Sequence, residues 1–456
     1  MTAAMDNETA YQKTLDYLYS FVDYSLQRNF RNTPDKFDLG RMRALLESLG
    51  CPQDAYPIIH VAGTKGKGSV CAYCAAALQA AGYHTGLYTS PHLQDYAERI
   101  QIDGKTIPHG ELVTLVDDIR PFIEAIPQLT TFEITTALAY LFFARQKVDA
   151  AIIEVGLGGR LDATNVCTPH VSVITSLSYD HTYLLGNTLA EIAAEKAGII
   201  KPDIPVVLAP QKEEARLVVE KIATERNAPL FQIGKDFLFT SLSHSLEDQT
   251  MEVWPANPQS RNDPESALRA KEASVRLTIP LLGYHQVENA ATAYAALHIA
   301  RGNALEIDDL AIGKGFSAVV WPGRFEILRQ NPPLIVDSAH NRDSALKLCL
   351  ALDDYYPHCP VVLLFGASED KDIPGMFDEL LPRVREVICT KSIHPRAADP
   401  EKLAELARQF GKATTVFPSI EGAFGEALRL AKDDALILVT GSLFVVAAVR
   451  EMWHEK

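Results

Sequence analysis

Apolar positions along the chain follow two rhythms. Short apolar runs stand at 57–62, 84–88, 150–155, 171–175 and 205–208, and each reads as a buried strand. Between them apolar residues recur at helical spacing, at 69–81 (closed by Gly82), 133–145 and 189–197. Strands alternating with helices predict a mostly parallel sheet covered on both faces. From about 235 to 280 the rhythm changes. There, 237–240, 251–254 and 275–279 read as antiparallel strands, with an exposed loop rich in Pro, Asn and Ser at 255–265. Helical patterns follow at 287–301 and 308–316, and a second alternating series starts at Pro333. Its strands are 334–336, 361–365, 387–390 and 436–439, with helices at 344–355, 400–409 and 420–431. The pattern predicts two α/β units, 1–317 and 318–456, meeting near 318–324, with a ligand cleft between them. No short-period repeat is present.

Composition narrows the class. The 456 residues are 47% hydrophobic and 22% charged, the profile of a soluble globular protein. Lys plus Arg number 43 against 58 for Asp plus Glu, a net charge of -15. That balance argues against nucleic acid, which needs clustered positive charge, but not against nucleotides, whose phosphates a few N–H groups and one lysine can hold. The N-terminus carries no basic region followed by an apolar run, and no uninterrupted apolar stretch reaches the ~18 residues of a membrane span. Seven scattered cysteines fit a reducing cytoplasm better than a disulfide framework. Cys71 and Cys74 form a C-x-x-C without a second pair, in an alanine-rich helical stretch, and read as small core residues.

Candidate chemistry begins at Gly63-Thr64-Lys65-Gly66-Lys67-Gly68-Ser69, between the first predicted strand and helix. Strand, glycine-rich turn, lysine and hydroxyl opening a helix is the P-loop arrangement. The glycines let backbone N–H groups converge on a phosphate, Lys67 would reach the β- and γ-phosphates, and Ser69 is expected to cap the helix near a metal. The strict pattern is missed by one position, because Gly68 separates Lys67 from Ser69. The bland reading is a plain strand-to-helix turn.

In a parallel sheet the loops after the strands converge on one edge. Ser90 and Asp180-His181 follow predicted strands, and Glu154 lies near the end of one. Hydroxyl, carboxylate and imidazole beside a P-loop suggest a Mg²⁺ site, although histidine is an uncommon Mg²⁺ ligand. Taken singly, each is more often a cap or a packed polar group.

Together these strings resemble the folylpolyglutamate synthase and dihydrofolate synthase family, relatives of the Mur ligases. The resemblance runs from roughly 37 to the C-terminus in ordered motifs. They are His60-Val-Ala-Gly-Thr-Lys-Gly-Lys-Gly-Ser69, Tyr88-Thr-Ser-Pro-His92, Glu154-Val-Gly-Leu-Gly-Gly-Arg-Leu-Asp-Ala-Thr-Asn165 and Asp180-His181. Glu195-Lys-Ala-Gly-Ile199, Asn289-Ala-Ala-Thr-Ala293, Pro322-Gly-Arg-Phe-Glu326 and Asp337-Ser-Ala-His-Asn341 follow. The resemblance implies a P-loop N-terminal domain, a Rossmann-like C-terminal domain and ATP between them. It assigns the phosphates to Thr64, Lys65, Gly66, Lys67, Gly68 and Ser69, with Asn289, Arg324 and Asp337 also binding ATP. Ser90, Glu154 and His181 would hold Mg²⁺, and Lys196 would carry a CO₂-derived carbamate. Thr130, Thr131, Phe132 and Glu133, with Leu161, Asp162 and Ala163, match segments that contact the pterin, and His340 lies on the glutamate side. Lys65 departs from the family, where many relatives have Asn. The stretch 241–274 matches no motif and is expected to be a surface elaboration.

The implied activity is ATP-dependent ligation of a folate-type carboxylate to L-glutamate through an acyl phosphate, in a cytoplasmic monomer. The loop Arg160-Leu-Asp-Ala-Thr-Asn165 resembles that of bifunctional bacterial enzymes. Dihydropteroate is therefore the expected acid, with extension of the glutamate tail of reduced folates as a second activity. Two rivals share parts of the pattern. A Mur-type amino-acid ligase usually carries an extra N-terminal domain, whereas about 57 residues precede the first predicted strand here. A P-loop regulatory ATPase leaves Pro322–Glu326 and Asp337–Asn341 without purpose, and would release phosphate without an amino acid.

Overall fold

The two rhythms resolve into three sheets in a computed structural model, which describes residues 2–22, 38–256, 271, 274–432 and 434–454. The first sheet contains β1 (Ile58–Ala62), β2 (Thr85–Tyr88), β3 (Ile100–Ile102), β4 (Lys105–Thr106), β5 (Ala150–Glu154), β6 (Val171–Ile174), β7 (Val206–Leu208) and β8 (Leu230–Gln232). Their spatial order is β4-β3-β2-β5-β1-β6-β7-β8. β2 through β8 run parallel in that order, while β3 and β4 form an antiparallel edge. β1 lies between β5 and β6 and is buried along its whole length, so its side chains are apolar except His60.

The helix Lys67–Ala80 runs back from β1 and is built of Ala, Cys and other small residues. That lets the helices Tyr284–Ala300 and Asp309–Ser317 approach closely, and a methyl on Gly315 would come within 2.4 Å of Ala77 Cα. The antiparallel strands β9 (Phe237–His244), β10 (Gln249–Pro255) and β11 (Val275–Ile279) pack Met251, Val253 and Leu277 into the same core. The hairpin of β9 and β10 accounts for 241–255; most of the expected loop at 255–265, and most of 256–274, lies outside the described residues.

The third sheet has β12 (Glu326–Gln330), β13 (Pro333–Val336), β14 (Val361–Phe365), β15 (Val384–Cys389), β16 (Ala413–Val416) and β17 (Leu436–Thr440), in the order β12-β13-β17-β14-β15-β16. All neighbours are parallel except β12 with β13, and separate cores fill the two faces. The segment 318–325 joins it to the helix Asp309–Ser317.

Several helices begin before their apolar pattern does, because a polar residue sets the start. Thr130 and Glu133 form a capping box that opens Thr131–Gln146, and Asn341 opens Arg342–Tyr355 with Ser344. The apolar rhythm does not announce the helices Thr2–Tyr19, Leu39–Ser48, His109–Ala125, Glu213–Glu225, Ile373–Leu380 and Leu443–His454. The first packs on the helix His109–Ala125. Tyr11 stacks on His109 with ring centroids 3.6 Å apart and donates to Asp95, while His109 Nε2 is 2.7 Å from Asp95 and Nδ1 3.2 Å from Glu8. All seven cysteines are free, Cys71 and Cys74 being buried in their helix. Among the described residues no helix is long and apolar enough to cross a membrane.

Candidate active site

The turn after β1 is fixed in shape by its surroundings. The N–H groups of Thr64 and Lys65 both donate to the Ser176 carbonyl at 3.0 Å, which ties the turn to the end of β6. Gly63 and Gly66 have φ of 151° and 81°. A methyl on Gly66 would also come within 2.2 Å of Asn289 Oδ1, and one on Gly68 within 2.9 Å of the Trp321 ring. The helix is capped by Gly66 without any side-chain hydrogen bond. Ser69 is therefore not the cap that the sequence suggested: the helix starts two residues earlier, at Lys67, and Ser69 is buried in its first turn. An uncapped first turn leaves N–H groups and partial positive charge for an anion.

Lys67 Nζ lies 3.6 Å from Glu154 Oε1, at the end of β5, and Ser90 N–H donates to the other Glu154 oxygen at 3.1 Å. Burial raises the Glu154 pKa, with Lys67, the Ser90 N–H and Arg324 opposing it. Lys196, near the end of the helix Leu189–Ala197, is buried and makes no ion pair with a described residue. Burial, then the charge of Lys67, brings its pKa down to about 7. A methyl on Gly159 would come within 2.8 Å of the Glu195 carbonyl, so the loop after β5 lies directly on the helix that carries Lys196.

Asp180 joins the two halves. It is 3.4 Å from Lys65 Nζ on its own side; from the C-terminal side it receives Lys371 Nζ at 2.8 Å and Asn341 Nδ2 at 3.0 Å, with His340 Nε2 at 3.6 Å. Burial pushes its carboxyl up, but Lys65, the His340 contact, His181 and Lys371 together hold it well below the usual carboxylate range. Burial lowers Lys65 to about 8 and His181 to about 3, and lowers His340 as well. Asp337, at the end of β13, accepts from the N–H groups of Phe325 and Ala339 at 2.7 and 2.8 Å; burial raises its pKa, with Arg324 opposing.

One cleft of about 240 Å³ gathers the phosphate loop, Ser90, Glu154, His181 and Lys196 from one side with Arg324, Asp337 and His340 from the other, and Asn289 beside them. Thr130, Thr131, Phe132, Glu133, Leu161, Asp162 and Ala163 do not line it. Thr130 and Glu133 cap their helix, Thr131 Oγ1 donates to the Leu18 carbonyl, and Phe132 packs over Gly156 at the end of β5. Asp162 is buried and caps the short helix Ala163–Val166, so its capping role is real whatever else it does. Lys371, His285 and Trp321 went unread. An isolated lysine between acidic residues, or a histidine opening a helix, carries no signal in sequence; a tryptophan beside Pro322-Gly-Arg324 could have been noticed.

Models of two protein domains match the chain: the Mur ligase middle domain over residues 61–297 and the Mur ligase, glutamate ligase domain over 323–443. The chain is 34% identical over 451 residues to the dihydrofolate synthase/folylpolyglutamate synthase of Bacillus subtilis, covering 97% of this chain and 99% of that one. It is 33% identical to the protein of the same name from Mycobacterium tuberculosis, over 95% of this chain and 93% of the other. Among solved structures, the Mycobacterium tuberculosis folylpolyglutamate synthase complexed with ADP superposes with a TM-score of 0.87 at 32% identity, covering 98% and 99% of the two chains. The E. coli FolC complex with DHPP and ADP gives 0.84 at 31%, covering 98% of each chain.

Proposed function

The chain belongs to the dihydrofolate synthase/folylpolyglutamate synthase family of Mur-type ligases, and from that premise we propose how its own residues divide the work. The activity is ATP-dependent, ADP-forming ligation of a folate-type carboxylate to glutamate. A carboxylate is a poor electrophile with oxide as leaving group. Taking the γ-phosphoryl of ATP turns it into an acyl phosphate, from which the glutamate amine displaces phosphate to give the amide. The phosphoryl step is mostly positioning and charge neutralisation. The uncapped turn and Lys67 hold the phosphates, and Arg324 brings positive charge from the C-terminal side. Asn289 and Asp337 hold the rest of the nucleotide. Because the cleft is lined by both domains, it can shield the acyl phosphate from water.

Glu154 and Ser90 offer hard oxygen donors beside Lys67, with His181 lining the same side of the cleft. Among the described residues no group of three or more His, Cys, Asp or Glu forms a dedicated metal cage. That donor set fits Mg²⁺ shared with phosphate oxygens and water, which would offset phosphate charge when bound. Lys196 is suited to carbamate formation: a buried amine with a pKa of about 7 has a large neutral fraction, whose lone pair attacks CO₂ with release of a proton. The resulting anion would stand near Lys67 in place of a second cation. His340 belongs to the glutamate side, and the loop bearing Asp162 with the segment 130–133 to the pterin. We read dihydropteroate as the first acid used and tail extension as a second activity.

The observation that carries this reading is the meeting of Lys67, Glu154 and Lys196 with Arg324 and Asp337 in one cleft between two domains. Its test is ATP-dependent incorporation of labelled glutamate with dihydropteroate and tetrahydrofolate offered separately. Incorporation into both is expected; ADP release that needs neither acid nor glutamate would favour an ATPase switch, and no turnover of dihydropteroate would remove the synthase activity.

A further inference from the structure

His60 is the one polar side chain on β1. It is fully buried, its Nε2 lies 2.9 Å from Thr164 Oγ1, and its Nδ1 has no partner among the described residues. Thr164, also fully buried, reaches Asp162 as well. Its hydroxyl makes a short hydrogen bond to Asp162 Oδ1, and its N–H donates to the same oxygen at 3.0 Å. Leu157 N–H donates to Oδ2 at 2.8 Å. A hydroxyl has one proton, and an ionised carboxylate only accepts. With Asp162 ionised, the Thr164 hydroxyl donates a hydrogen bond to it, and the same oxygen accepts one from His60 Nε2–H. This fixes the imidazole as the neutral Nε2–H tautomer. Burial, with a smaller effect of Lys201, agrees by holding the His60 pKa down at about 3.

An apolar residue would be cheaper to bury here, since an unpaired buried acceptor costs free energy. The chain of bonds offsets that cost by tying Asp162 to the strand that leads directly into the phosphate loop. We propose that His60 is a positioning residue for the acid substrate, its Nε2–H fixing the Thr164 hydroxyl so that Asp162 stays an acceptor for a donor-rich pterin, in register with the phosphate loop. The inference rests on the reading that Asp162 meets the pterin. Without the imidazole donor, the Thr164 proton is free to turn away. Asp162 would then lose the hydroxyl donor that holds its Oδ1, keeping only the N–H groups of Thr164 and Leu157, and its carboxylate would no longer be set to receive the pterin's donors.

His60→Leu removes the donor at similar volume, and His60→Gln restores an N–H close to where Nε2 stands. Kinetics use dihydropteroate or tetrahydrofolate, whichever is turned over. His60→Leu should raise KM for that acid about tenfold and leave KM for ATP within about twofold, with His60→Gln near wild type. Parallel rises in both KM values, a Gln variant no better than Leu, or wild-type values throughout would overturn the proposal. Asp162→Asn separates the two claims. If it leaves the acid KM unchanged, the pterin reading fails; if it raises that KM while His60→Leu does not, only the role of His60 fails. Should His60→Leu not fold, nitrogen NMR decides, with the His60 signals identified by their loss in His60→Gln. Protonated Nε2 with bare Nδ1 is required, and protonated Nδ1 ends the proposal.

Discussion

Lys67 stands at the first position of its helix, 3.6 Å from a buried carboxylate and opposite Arg324 in the cleft. Lys67→Ala should slow ligation by about 10²–10³-fold in a protein that still folds, because losing a preorganised charge aimed at a transition state costs about 3–4 kcal/mol. Near-normal turnover in a folded variant would remove the phosphate-loop assignment. Lys196→Ala should lose activity and regain part of it when short carboxylates are added, since they supply the missing anion. A variant as active as wild type, or one that no carboxylate rescues, would count against the carbamate. The positions of Lys67, Ser90 and Glu154 were legible because each stands at or just after the end of an apolar run, where a parallel sheet collects its loops. Lys371 was not, since its pairing with Asp180 is a contact between residues far apart in sequence.

Elements repeat the lesson at the next scale. β11 and the helix Leu189–Ala197 fall where their apolar rhythm puts them, and in the helix the capping box of Thr188 and Glu191 begins where the rhythm does. Thr131–Gln146 begins earlier than its rhythm, since a capping box decides its start. The helix Thr2–Tyr19 was missed for a related reason: it is held by Tyr11, His109, Asp95 and Glu8 as much as by an apolar stripe. Burial would lower the His109 pKa, but Asp95 and Glu8 outweigh it, and the value is raised. A raised histidine pKa contributes stability that is complete below the unfolded value, about 6.5, and is lost as pH rises through the folded one. Hydrogen exchange in the described part of this helix, corrected for intrinsic rate, should therefore quicken as pH rises past neutral, and His109→Gln should flatten that dependence. Exchange in wild type that ignores pH would show that the stacking, not the charge, holds the helix.

Over the whole molecule the decisive contact is Asp180, a nearly buried carboxylate shared by two domains through Lys65, Lys371 and Asn341. Asp180→Asn would leave buried cations without a counter-charge and should cost about 3 kcal/mol of stability in chemical denaturation. Because the Asp180 pKa is depressed, its contribution is present above the unfolded carboxylate value, about 4, and is lost as pH falls through the lower folded one. The stability gap between wild type and Asp180→Asn should thus stay level from neutral pH to about pH 5 and close only in stronger acid. A gap that closes near pH 6 would point to the neighbouring histidines instead.

Trp321 has a use unrelated to chemistry. The protein has three tryptophans. Trp254 lies in the antiparallel sheet and Trp453 beside Arg329, away from the cleft, whereas the Trp321 indole rests against Gly68 of the phosphate loop. Any ligand that reshapes that loop alters the surroundings of a single fluorophore. The chain thus carries its own optical gauge of nucleotide occupancy. Tryptophan emission should change on adding ADP in a saturable way, and Trp321→Phe should silence the response while ADP still binds by calorimetry. A response that survives Trp321→Phe would mean that one of the two distant indoles senses the nucleotide, and hence that its binding is felt well beyond the cleft.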